Sequence, residues 1–125
     1  MNYRSPLANA QGLGSAKSGT YHWWMQRVTA AALVPLTYVL IRFLDLSLNA
    51  SFEETLAWVA TPFPGICLIA WIVAVFYHSA LGLRVVVEDY IADEGMKIAA
   101  IWMLNLALLF LAITALISVL RILIG

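Results

Sequence analysis

Few side chains in this sequence could do chemistry, and the most informative is His78. It lies inside a stretch with no charged residue from Thr55 to Leu83, six residues before Arg84. That separation is about 9 Å along a helix. A histidine at such depth in an apolar segment is either a neutral ring hydrogen-bonded to a neighbouring helix or a ligand to a metal or haem. Ser79, Ala80 and Gly82 beside it are small, and Gly82 is one turn along on the same face. Small residues let a flat macrocycle approach the helix, and they equally let another helix approach. A low-spin haem that only transfers electrons needs two strong axial ligands. His22 is at the surface, so His78 is the one histidine at depth. A haem here would therefore draw its second ligand from another polypeptide.

Asp89 and Tyr90 follow His78 by 11 and 12 residues. At about 100° per residue, Asp89 projects within roughly 20° of His78, some 16 Å away along the axis. His78, Gly82, Val85 and Asp89 thus mark the face expected to turn into a bundle. A phenol and a carboxylate at the helix end could hydrogen-bond a quinone carbonyl and relay protons from water. An interfacial tyrosine beside a solvated acidic loop (Glu88, Asp89, Asp93, Glu94) accounts for the same residues. Arg27 could pair with a carboxylate such as a haem propionate or anchor the chain at the headgroups. His22 reads as interfacial, Arg42 and Arg121 as outer-side anchors, and Asn105 as a candidate interhelical hydrogen bond.

The elements that must position these groups follow from charge spacing. The 125 residues are 63% hydrophobic and 11% charged, with zero formal net charge. A soluble domain carries about 25% charged residues, so the apolar surface must face lipid or other subunits, and nothing forms a basic footprint for nucleic acid. The lone Cys67 can form neither an internal disulfide nor a thiolate cluster. The gaps Thr55–Leu83 and Ile98–Leu120 are free of charge, and each exceeds the roughly 20 residues that cross a bilayer core. The first span is bracketed by Arg27 and Arg42, with Trp23 and Trp24 as interfacial anchors. The expected fold is an all-α membrane protein with three transmembrane helices near 22–46, 64–88 and 97–123. Pro62 and Pro64 open the second, and Gly95 separates it from the third. Arg4, Lys17, Arg27, Arg84 and Lys97 flank one side, while Arg42 and Arg121 flank the other. This asymmetry places the N-terminus in the cytoplasm and the C-terminus outside. Residues 1–20 hold no apolar signal region and few cations, so a bacterial inner membrane is expected, with a processed organellar protein as the alternative.

Two stretches carry a family resemblance: GLGSAKSGTYHWWMQRVTA at 12–30 and FYHSALGLRVVVEDYIADEG at 76–95. They resemble the hydrophobic membrane-anchor subunit of succinate dehydrogenase, respiratory complex II, in its alphaproteobacterial and mitochondrial-like branch. The charge spacing makes 1–21 a cytoplasmic N-terminal segment and 22–125 a three-helix membrane domain, and the resemblance implies that this domain is half of a heterodimeric anchor bundle. It further implies that His78 is the axial ligand this chain gives to haem b, the other coming from the companion anchor subunit of the pair. Tyr90 would hydrogen-bond ubiquinone, Asp89 would support that site and its proton path, and Arg27 would approach the haem propionates. The flavoprotein and iron–sulfur subunits would be the partners that oxidise succinate, since this chain has neither a Gly-rich dinucleotide loop nor a cysteine cluster. The alternatives are the anchor of a quinol:fumarate reductase, or a non-redox structural membrane subunit with His78 merely hydrogen-bonded.

Overall fold

The computed structural model describes Pro6 and residues 15–125, with side chains from Gly19 onward. Arg4 and the side chain of Lys17, two of the cations behind the expected orientation, lie outside the described residues. Among residues 15–125 four helices follow in order: α1 Ser15–Asn49, α2 Phe52–Ala60, α3 Pro62–Tyr90 and α4 Glu94–Ile124. Three of them, α1, α3 and α4, are long and apolar enough to cross a membrane. Even α3, with 29 residues, is about 44 Å long, well beyond a hydrocarbon core of about 30 Å. The expected three-span, all-α architecture is therefore present. Each span runs past its expected bounds, because helix continues through the polar flanks after the apolar run has ended.

The first connection differs from expectation, for it contains a helix. Ser51 starts α2, its hydroxyl accepting from the Glu54 amide at 3.1 Å. Residues Ser51–Glu54 carry the S-x-x-E capping signature, a signal the charge-gap reading passes over. Thr55 is buried, and its hydroxyl reaches back to the Leu46 carbonyl at 3.1 Å, tying α2 to the end of α1. Thr61 then ends α2 and begins α3, with Pro62 in the first turn, where no amide hydrogen is missed.

The break between α3 and α4 is also displaced. Gly95 lies inside the first turn of α4, and the chain turns instead at Ile91–Asp93. The reason is the Asp93 side chain, which caps α4 by accepting from the Met96 amide at 2.9 Å. Glu94 at the start and Arg121 at the end of α4 match the helix dipole.

The spans form a row rather than a triangle. α3 packs on both α1 and α4, α2 touches all three, and α1 and α4 do not pack together. Buried positions among the described residues are consequently few: Thr29 on α1, Thr55 and Val59 on α2, and Gly65, Leu68 and Ile72 on α3. Gly65 sets the closest approach. A Cβ there would lie 2.7 Å from the Val59 carbonyl oxygen and would also strike the Leu123 side chain. No residue of α4 is buried, so its apolar circumference is left for lipid or other subunits.

Candidate functional site

Among the described residues three side-chain hydrogen bonds join α1 to α3: an exposed one, in which Tyr77 Oη donates to Tyr21 Oη at 3.4 Å, and two within the apolar bundle. Trp71 Nε1 donates to Thr37 Oγ1 at 3.3 Å. Further along, Thr29 Oγ1 lies 3.0 Å from His78 Nδ1. Thr29 is only 7% exposed, so this hydrogen bond is made away from water, where an unpaired polar group would cost about 1–3 kcal/mol. It occupies one ring nitrogen of His78 and leaves Nε2 as the other.

Beside the Thr29–His78 contact, a cavity of about 870 Å³ is lined by both helices. Its α1 wall includes His22, Trp23, Gln26, Arg27 and Ala30, and its α3 wall His78, Gly82, Arg84, Val85 and Glu88. The size falls within the range of about 300–1,000 Å³ typical of ligand sites. Gly82 keeps the α3 wall low. A Cβ there would sit 3.4 Å from Gln26 Nε2, so alanine meets ordinary contact while a longer side chain would enter the cavity. The Gln26 amide oxygen is buried with no partner among the described residues.

The charges gather at one rim. The Arg27 guanidinium stands 5.1 Å over the Trp23 ring, a cation–π arrangement that holds it beside the cavity. It pairs with no carboxylate among the described residues. Arg84 is already engaged, with Nε donating to Glu88 Oε1 at 3.0 Å. No three His, Cys, Asp or Glu side chains converge among the described residues, so His78 belongs to no three-ligand metal cluster there.

The sequence-singled residues thus divide. His78 and Arg27 meet at one cavity, together with Gly82 and Val85. Asp89 and Tyr90 do not reach it: the lining ends at Glu88, and both residues are exposed in the last turn of α3, Tyr90 at 84%. Asp89 therefore does not turn into this chain's own bundle, because the helix ends there with nothing of the described chain stacked against it. Asn105 is exposed too and makes no interhelical bond among the described residues. Sequence reading missed Thr29 and Gln26, and set His22 aside as interfacial although it lines the cavity. Their only signal is polarity within an apolar helix, within about one and a half turns of Arg27.

The family described as succinate dehydrogenase/fumarate reductase transmembrane subunit matches residues 1–120. A succinate dehydrogenase hydrophobic membrane anchor subunit from Rickettsia conorii is 35% identical over 97 residues, 77% of each chain. The protein of the same name from Paracoccus denitrificans is 33% identical over 102 residues, covering 82% of this chain and 79% of that one. That from Rickettsia bellii is 33% identical over 96 residues, 77% of each. No solved structure matches the chain. With the match running through all three spans and through both walls of the cavity, the chain belongs to the succinate dehydrogenase/fumarate reductase transmembrane subunit family.

Proposed function

We propose that this chain anchors a succinate:ubiquinone oxidoreductase in the bacterial inner membrane, gives His78 to haem b as one axial ligand, and contributes Tyr90 and Asp89 to the site of ubiquinone reduction. The observation that carries the reading is the cavity beside His78, with one ring nitrogen held by Thr29 and a guanidinium at its rim. The residues present fit a flat anionic macrocycle. Gly82 leaves clearance on one wall, His78 offers a nitrogen ligand, and Arg27 offers a fork of donors for a carboxylate. The buried Gln26 amide gives a further polar group where such a guest would lie. Haem b supplies a one-electron carrier within the bundle when bound.

The chain's own work is positioning. Its cavity lies open between α1 and α3, and a companion anchor subunit that closes it would bring the second axial ligand. Arg27 anchors a propionate near the membrane surface. Tyr90, at the end of α3, donates its phenolic hydrogen to a quinone carbonyl oxygen, and Asp89 beside it carries protons in from water. In this reading the N-terminus and the α3–α4 turn face the cytoplasm, where the iron–sulfur and flavoprotein subunits dock, and the C-terminus is periplasmic. The family includes fumarate reductase subunits, but the three relatives named above are all succinate dehydrogenase subunits, which favours succinate oxidation.

The test is purification from native membranes with identification of the co-purifying chains and a reduced-minus-oxidised spectrum. A b-type spectrum that collapses in His78→Leu, in a complex that still assembles, is the expected result. An unaltered spectrum in that variant would sink the ligand assignment, and absence of flavoprotein and iron–sulfur chains would sink the anchor role. Orientation is read separately, from a C-terminal reporter active only in the periplasm.

A further inference from the structure

We infer that Thr29 is a positioning residue for His78: it fixes which ring nitrogen carries the proton, and so presents Nε2 to the cavity as a lone pair. The inference rests on His78 being a ligand to haem iron, as proposed above.

Counting hydrogens gives the direction of the bond. A threonine hydroxyl has one hydrogen and two lone pairs. Thr29 Oγ1 lies 2.7 Å from the Met25 carbonyl oxygen and 3.2 Å from that of Gln26. Carbonyls only accept, so the hydroxyl hydrogen is directed back along α1. The 3.0 Å contact to His78 Nδ1 then needs its hydrogen from the imidazole. Nδ1 is the protonated nitrogen, Thr29 accepts, and Nε2 is left with its lone pair. Thr29 is 7% exposed, so water does not compete for the role.

The arrangement has a consequence for the iron. An imidazole whose N–H is held by an acceptor is a more basic ligand, and its ring plane is fixed. A hydroxyl oxygen is an uncharged acceptor, so the donation it adds is modest. A stronger donor favours the ferric state. Removing the acceptor should therefore raise the haem midpoint potential, relax the ring orientation seen in the low-spin EPR g values, and speed haem loss.

The experiment uses the intact purified complex with Thr29→Val, which keeps the shape and deletes the acceptor, and Thr29→Ser, which keeps the acceptor. The expected result for Val is near-normal haem content with an upward shift in midpoint potential and altered g values. Haem dissociation should be faster by on the order of 10-fold, the lower end for loss of an outer partner to a metal-bound histidine. Ser should restore all three. A Val variant indistinguishable from the parent in potential and g values at full haem content would overturn the proposal. Should Val fail to assemble, Thr29→Ala takes its place beside Ser. Ala shifted and Ser normal supports the role, whereas equal shifts, or a Ser variant that also fails to assemble, would assign Thr29 to packing and overturn it. Failure of the haem reading itself is separate: there, His78→Leu would leave the spectrum intact whatever Thr29 does.

Discussion

The two ends of the functional stretch of α3 are built in opposite ways. At His78 the chain makes its own site: a buried threonine 3.0 Å away, a cavity, and a stacked arginine at the rim. At Asp89 and Tyr90 it makes almost nothing, and the tyrosine is 84% exposed. The first region is organised before any partner arrives. The second receives no enclosing environment from the described chain. Under the proposed function this division separates a preformed haem-ligand side at His78 from a quinone rim at Tyr90 that a partner's surface would shape.

Substitutions can break that contrast in graded ways. The largest effect is expected from Gly82→Leu, whose side chain would enter the cavity beside Gln26. Forcing atoms into space a guest needs costs about 1–3 kcal/mol, or roughly a 5- to 150-fold loss of affinity. Haem per complex, read from the b-type absorbance, should fall sharply while the subunits still co-purify; unchanged haem content would place the guest elsewhere. Gly65→Ala should cost a similar 1–3 kcal/mol in stability, because its Cβ would meet the Val59 carbonyl 2.7 Å away. Thermal melting of the complex should drop, yet the haem spectrum below the melt should stay normal, since this junction is remote from the α1–α3 cavity.

Tyr90→Phe sharpens the comparison from the other end. It deletes one hydrogen bond, worth about 0.5–1.5 kcal/mol, so quinone reductase activity should fall roughly 3- to 10-fold. Succinate oxidation with an artificial acceptor and the haem spectrum should be untouched; loss of all three together would mean failed assembly. The smallest effect belongs to Arg42→Ala. Its ion pair with Asp45 spans 3.2 Å between side chains about half exposed, and such pairs contribute about 0–1 kcal/mol. A melting shift of several degrees there would reveal a role beyond the pair.

His78 was legible in the sequence because an ionisable group in an uncharged gap is conspicuous on its own. The same gaps marked the three spans. Thr29 was not legible, since a threonine in an apolar helix is unremarkable until a second helix places a ring nitrogen against it. Helical phase put Asp89 on the face of His78, but phase along one helix does not say how far the neighbouring helix follows. The short α2 hid because its nine residues are too few for a charge-gap signal and speak only through the Ser51–Glu54 cap. Gly95 misled for a related reason: Asp93 caps α4 two residues earlier, and a glycine is tolerated inside the first turn.

The row arrangement of the spans bears on how the protein is made. Because α1 and α4 do not pack together, the contacts between spans join only consecutive transmembrane segments. Such local wiring keeps loop closure short and favours assembly in the order of synthesis. The α1–α3 hairpin, with the threonine and histidine already paired, can be complete in the bilayer while α4 is still being translated. The nascent chain would thus hold the Thr29–His78 contact and both walls of its cavity before its last helix exists.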